Sequence, residues 1–248
     1  MRIAFAALLL VGAYTAARAQ EMTPAAYEAA LRHEVSLLKQ GVVQRQPGEA
    51  DTLFLKRLFP ASFGEGKPIT YAWRPSVYGP QLFFSHGQRD DAHHLGEGTE
   101  LFVLDPFQPN TYAVQVLCLE PVGDITNLAA FCFADVDQDG QKELLALVYA
   151  EVQQVGMRYS GPGAKGEKAY GRFSHWQTQV FRYAGPSRAG RPRYQPDRTP
   201  RPYLNELRSV AAVRQALVRH QQRAKSVPTK AAKPIRPITA GSTLRKQT

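Results

Sequence analysis

The sequence predicts an α+β fold in which a mainly antiparallel β meander is flanked by an N-terminal and a C-terminal helix and followed by a disordered basic tail. Two observations carry this prediction. Apolar residues recur at helical spacing near both ends of the chain. Between them lie short runs rich in aromatic residues, Val and Leu, separated by Gly, Pro, Asn and Asp. Helices placed beside an antiparallel sheet are typical of the α+β class.

Residues 1–19 have the features of a secretory signal peptide. Arg2 precedes an apolar run over residues 3–13, and Ala17 and Ala19 stand at the two positions that a signal peptidase reads. We therefore expect a secreted or periplasmic protein. No later stretch has the length and apolar character of a transmembrane helix, so we expect no transmembrane segment. Residues 20–223 then form a single α+β domain.

Two helices are predicted at the start of this domain. Thr23 is suited to cap the first, Pro24 fits its first turn, and Gly41 fits its C-terminal cap. A second helix is expected over residues 50–58, and Pro60 ends it.

Strands are predicted next, followed by a last helix. Two long loops, 156–172 and 185–202, are expected on either side of a strand at 175–185, and Ser209 is suited to cap a helix over 209–223. The remaining predicted strands fall within residues 69–78, 81–87, 99–105, 111–122, 128–135 and 143–152.

The final segment, residues 224–248, contains six Lys or Arg residues and no acid in a chain whose formal net charge is +10. Such a composition predicts disorder, because it offers little apolar surface to bury. The tail is suited to contact anionic lipid or polysaccharide surfaces. The alternative is a solubilising tail with no partner. Since an exported protein rarely meets nucleic acid, no nucleic-acid partner is expected, and the partners are otherwise unknown.

Cys118 and Cys132 are the two cysteines of the chain. Both fall in strand-like runs joined by a short polar segment, so a hairpin would place them opposite each other. Export permits a disulfide, which would stabilise a loop of this length by roughly 3 kcal/mol. The alternative is two free thiols that pack as small apolar side chains.

An unusually acidic loop follows the second cysteine. Asp135, Asp137 and Asp139 alternate along it, Gly140 supplies a bend, and Glu143 closes it. Alternate carboxylates in a tight loop converge, and several hard oxygen donors at flexible geometry suit Ca²⁺ better than Mg²⁺. Without a cation these acids repel one another. The alternative is a polar turn whose acids are merely solvated.

The spacing of this loop separates it from an EF-hand. The first six positions fit the EF-hand pattern, but position twelve is Ala146 and the acid stands at position nine, as Glu143. The stretch FADVDQDGQKELLALV, residues 133–148, resembles instead the calcium loops of FG-GAP and VCBS-type repeats, which join two strands. That family builds propellers from several copies, and this chain has one, so the resemblance implies a strand-loop-strand site and no propeller. It implies that calcium is bound by Asp135, Asp137, Asp139, a backbone carbonyl at Gln141, and Glu143.

A second polar segment is a weaker metal or catalytic candidate. Residues 86–97 contain several imidazoles and carboxylates close together in the chain. Such groups can hold a transition metal or act in the active site of a cell-envelope hydrolase. A solvated loop is the alternative, and no G-x-S-x-G nucleophile motif accompanies the segment. The candidate residues are His86, Asp90, Asp91, His93, His94 and Glu97.

Taken with the predicted export, the acidic loop favours a non-enzymatic binding or structural module that carries one structural calcium ion. A hydrolase using the 86–97 segment is one alternative. A periplasmic inhibitor or interaction protein that uses its basic loops and tail on an acidic partner is another.

Overall fold

The computed structural model describes residues 22–63, 67–86, 100–158 and 160–226. The predicted signal peptide, the tail beyond residue 226 and the 86–97 segment after His86 lie outside the described residues. The described elements are α1 (Pro24–Gln40), β1 (Val42–Gln44), α2 (Asp51–Leu58), β2 (Ile69–Tyr71), β3 (Gln81–His86), β4 (Glu100–Gln108), β5 (Thr111–Cys118), β6 (Ile125–Ala134), β7 (Glu143–Arg158), β8 (Glu167–Pro186), β9 (Pro192–Asp197), the 3₁₀ turn Pro202–Leu204 and α3 (Val210–Ser226).

These elements form the predicted α+β fold, with a helix near each end. The strands build two antiparallel sheets, a five-stranded one in the order β1-β5-β4-β3-β2 and a four-stranded one in the order β6-β7-β8-β9. Each sheet contains a meander of consecutive strands. Among the described helices, none combines the length and the apolar character needed to cross a bilayer.

The two sheets pack face to face, and helices cover their outer faces. Alternation along β3 and β4 sends Phe83, Leu101 and Val103 toward the second sheet, where they meet Leu144 and Phe181. The opposite face of the first sheet packs on α1 and α2. The opposite face of the second sheet packs on α3 and the 3₁₀ turn. Because both faces of the central strands are buried, ELFVLD and ELLALV are nearly continuous apolar runs.

The first and last helices begin where their capping residues predict. The Ala26 amide donates to Thr23 Oγ1 at 3.3 Å, and Gly41 takes a left-handed φ of 65° after the last turn. At α3, the Ala212 amide donates to Ser209 Oγ at 3.2 Å. The last helix extends to Ser226, two residues beyond the expected start of the tail.

The expected β5–β6 hairpin is wrong. Cys118 ends β5 in the first sheet and Cys132 lies in β6 of the second, because the chain crosses between sheets after Cys118. Both cysteines are free thiols, Cys118 exposed and Cys132 buried. Partial desolvation raises the pKa of both thiols, and the Glu100 carboxylate adds to the rise at Cys118. Both effects disfavour the reactive thiolate.

The expected long loop at 156–172 is also wrong. β7 continues to Arg158 and β8 starts at Glu167, so most of this Gly- and Lys-rich segment is paired strand. Gly156 leaves space for the Phe173 ring, since a Cβ there would lie 2.2 Å from a ring carbon. The glycine therefore marks a close cross-strand approach. The expected loop 185–202 likewise contains a short strand, β9.

Candidate metal centre

The acidic loop connects the end of β6 to the start of β7. Ala134 pairs with Glu143, and the ladder continues through both strands, so the flanks are strands as predicted. The turn requires two left-handed residues, Gln138 with φ 64° and Gly140 with φ 87°. Glycine adopts this conformation at little cost.

The aspartates fold the loop around themselves. The Asp139 amide donates to Asp137 Oδ1 at 3.2 Å, and the Gly140 amide donates to Asp135 Oδ2 at 3.1 Å. The Gln141 amide donates to Asp139 Oδ1 at 2.7 Å. These hydrogen bonds hold the carboxylates on the inner side of a compact turn.

Three of the predicted ligands converge on one point. Asp135, Asp137 and Glu143 each offer one carboxylate oxygen, and these oxygens lie within 4.8 Å of one another. Asp139 is outside this group of three but lies near enough to raise the pKa of Glu143. Gln141 is expected to offer its backbone carbonyl, and the hydrogen bond described for it runs from its backbone amide to Asp139 Oδ1. The structure therefore brings together an acidic triad able to hold a metal ion.

Glu143 is the most buried member of the triad, with 4 % of its surface exposed. Its Oε2 accepts a 2.7 Å hydrogen bond from the Val136 amide. Among the described residues, no Lys or Arg forms an ion pair with it. Burial raises its pKa above the ordinary glutamate range, and the three nearby aspartates raise it further. A buried carboxylate in this environment favours either a proton or a cation.

Asp135 has an unsatisfied oxygen. Its Oδ2 accepts from Gly140, but its Oδ1 is enclosed and has no hydrogen-bond partner, the one such side-chain atom in the described part of the chain. Buried polar atoms are almost always paired. An acceptor-only oxygen that no donor reaches, beside two further carboxylates, fits a bound cation.

Contacts that the sequence did not reveal hold the loop in place. Trp73 Nε1 donates to the Lys142 carbonyl at 2.5 Å, and Gln221 Nε2 in α3 donates to the Asp135 carbonyl at 2.9 Å. Lys142 Nζ donates to Tyr71 Oη at 2.8 Å, so the positively charged side chain of the loop itself bonds to a tyrosine. No sequence signal identifies these partners, because they come from positions 69 to 86 residues away.

The loop also has an open side. A cavity of 360 Å³ is lined by Asp137, Asp139 and Glu143 and, across from them, by Arg182 and Tyr183. An ion therefore has a path from solvent to the buried Glu143.

The second candidate segment, residues 86–97, stays a prediction, because nearly all of it lies outside the described residues. His86 is the last residue of β3 and pairs with Glu100; its predicted companions Asp90, Asp91, His93, His94 and Glu97 lie outside the described residues.

No family model matches this chain, and no curated protein or solved structure matches it either. The resemblance of residues 133–148 to FG-GAP and VCBS-type loops stays a prediction from the motif. The geometry of the loop is thus the firmest basis for a function.

Proposed function

We propose that the loop over residues 135–143 binds one Ca²⁺ ion, and that the protein is an exported, non-enzymatic binding or structural module which this ion stiffens. In this proposal Asp135, Asp137, Asp139 and Glu143 supply carboxylate oxygens. Gln141 supplies its backbone carbonyl.

The unpaired Asp135 Oδ1 is the observation that carries the proposal. This oxygen is enclosed and lacks a donor within the described residues. Asp135 is also one of three residues that each offer a carboxylate oxygen within 4.8 Å of the others. An unsatisfied buried polar group costs about 1–3 kcal/mol, and more when it is charged. A bound cation removes that cost and the repulsion among the acids.

The chemistry of the donors supports Ca²⁺ over other ions. All three grouped ligands are carboxylates, which hard cations prefer, whereas zinc sites are usually built from Cys and His. Mg²⁺ demands near-octahedral geometry and gives up its waters reluctantly, while Ca²⁺ accepts crowded carboxylates at flexible geometry.

The bound ion would act on stability through the contacts of the loop. The Asp135 carbonyl is bonded to Gln221 of α3, and the Lys142 carbonyl to Trp73 between the sheets. Fixing the turn therefore fixes a junction between both sheets and the C-terminal helix. Because the unfolded chain has no preformed site, the binding free energy adds to folding stability.

Thermal unfolding in excess EDTA and in millimolar Ca²⁺ tests this proposal. At a concentration of 100 Kd a single ligand stabilises by about 2.7 kcal/mol, which raises the Tm of a domain of this size by roughly 5–10 °C. Asp137→Asn should lose most of this rise. Glu167→Gln removes an exposed acid in β8, outside the loop, and should keep all of it.

An unchanged Tm of the wild-type protein in millimolar Ca²⁺ would refute the calcium site. An equal rise with Mg²⁺ at the same concentration would assign the triad to divalent cations in general. Export is tested separately, since the mass of protein recovered from periplasm or medium should correspond to a chain that starts at Gln20.

A further inference from the structure

Within the described residues, no third strand pairs with the outer part of the β7–β8 hairpin. Pairing of β6 with β7 ends at Ile125 opposite Glu151, and β9 reaches β8 only up to Val180. Beyond these points β7 and β8 pair only with each other in the part of the chain that the structure describes. We call residues 152–158 and 167–173, together with residues 160–166 of their connection, the arm.

The arm buries none of its described side chains. Every described residue in 152–157 and 160–173 is exposed or half-buried, whereas Leu144 and Val148, earlier in β7, are fully buried. A two-stranded hairpin is at best marginally stable in water unless something packs on it. Among the described residues, the segment before β6 meets the base of the arm, where the Gln153 amide donates to Asp124 Oδ2 at 2.7 Å. The exposed remainder of the arm is suited to contact an outside partner.

One face of the arm combines apolar and basic side chains. The register places Val155 opposite Tyr170 and Met157 opposite Lys168, and alternation puts all four on the same face. Val155 is 64 % exposed, Met157 47 % and Tyr170 66 %. Arg172 stands two residues from Tyr170 on this face and is opposite Gln153.

The charge of the arm is strongly positive. Residues 152–173 contain four Lys or Arg residues and one acid. Arg172 approaches Glu151 at 3.5 Å, but its side chain is 68 % exposed, so water screens this pair. The partner of this face must therefore tolerate contact with apolar side chains and carry negative charge.

We propose that the arm docks on an anionic lipid bilayer surface. Three large apolar side chains cover far less than the ~800 Å² per partner of a standard protein interface, which disfavours an acidic protein. They are sufficient for shallow insertion at the headgroup level, where tyrosine is favoured and lysine stems extend along apolar surface with their charges in water. Basic residues beside them attract the anionic headgroups.

Sedimentation of the full-length protein with vesicles tests this inference. The protein should bind vesicles of phosphatidylcholine with 30 % phosphatidylglycerol and not vesicles of phosphatidylcholine alone. Lys168→Gln/Arg172→Gln should weaken binding about 30-fold, since each basic residue contributes about fivefold. Val155→Ser/Tyr170→Ser should weaken it about tenfold or more. All of these results should hold in EDTA, because the arm lies apart from the acidic loop.

Matched controls separate the arm from the remaining positive charge, including the basic tail that every variant retains. Lys56→Gln/Arg219→Gln removes two exposed charges from helices, and Leu53→Ser removes a side chain that is 62 % exposed; both should bind vesicles as the wild type does. Far-UV circular dichroism and an unchanged Tm confirm that the arm variants fold. Wild-type binding by both arm variants would overturn the inference. So would failure of the wild type to bind anionic vesicles while a photo-crosslinker at position 157 captures an acidic protein.

Discussion

Two buried carboxylates in this protein have opposite surroundings. Asp105 in β4 is 1 % exposed and Glu143 at the start of β7 is 4 % exposed. Arg74 holds Asp105 through Nε at 2.7 Å and through a second nitrogen at 2.6 Å, and Tyr194 Oη donates to it at 2.5 Å. Glu143 has one described donor, the Val136 amide, and three aspartates as neighbours.

The two carboxylates show two different ways in which this chain accommodates a buried charge. At Asp105 it supplies the counter-charge itself, with Gln81 completing the set at 3.2 Å, and the burial and carboxylate contact raise the pKa of Tyr194. Around Glu143 the described residues supply acids and one amide donor, and the side chain of Lys142 bonds to Tyr71. The first arrangement is complete within the protein, whereas the second would be completed by the cation that we propose for the acidic loop.

The largest expected effect comes from breaking the complete arrangement. Arg74→Met leaves Asp105 buried with no counter-charge, which should cost about 3–5 kcal/mol of unfolding free energy. Urea unfolding in EDTA and in Ca²⁺ measures this, and the loss should be equal in both. Adding Asp105→Asn should recover part of it. A loss under 1 kcal/mol would show that Arg74 is not what neutralises Asp105.

A third carboxylate, Asp197, is intermediate between these two, because it has a counter-charge but lies nearer the surface than Asp105. Arg201 pairs with it at 2.6 Å, with both side chains 10 % exposed. Despite the opposing effect of burial, Arg201 and Thr199 lower the pKa of Asp197 to about 2. Since the folded pKa lies below the unfolded value, this group stabilises above about pH 4, and the stabilisation is lost as pH falls toward about 2.

Asp197→Asn should therefore cost roughly 2 kcal/mol at pH 7. Below about pH 4 the difference from wild type should shrink, because the unfolded chain then binds a proton at Asp197 that the folded carboxylate does not bind until the pH falls toward about 2. Urea unfolding at pH 7 and pH 2.5 measures both values. A difference that stays constant across this range would contradict the assignment.

The smallest expected effect has the opposite sign. Glu143→Gln removes an uncompensated charge but keeps an oxygen for the Val136 amide. In EDTA it should raise the unfolding free energy by about 1 kcal/mol, and it should abolish the response to Ca²⁺. Loss of several kcal/mol in EDTA would mean that the chain already satisfies this carboxylate.

Local chemistry made part of this molecule predictable. Thr23 and Gly41 mark the ends of α1, and the motif from Asp135 to Glu143 identifies a strand-loop-strand turn with converging acids. Such features depend on residues near one another in the chain.

Features that depend on residues far apart in the chain could not be predicted from the sequence. Cys118 and Cys132 occupy different sheets because the sandwich, and not the short connection, decides where each strand pairs. The Gly-rich segment that starts at Gly156 was predicted to be a loop. The glycine instead lies in a strand, where it leaves room for the ring of Phe173. The anchoring of the acidic loop by Trp73 and Gln221 likewise depends on tertiary packing alone.

Isothermal titration calorimetry of EDTA-treated protein with Ca²⁺ measures directly whether the acidic loop binds calcium. The wild type and Glu167→Gln should each bind one ion per chain, while Asp137→Asn and Glu143→Gln should show strongly weakened binding or none. Absence of calcium binding by the wild type, or undiminished binding by both loop variants, would contradict the claim that the acidic loop is completed by calcium.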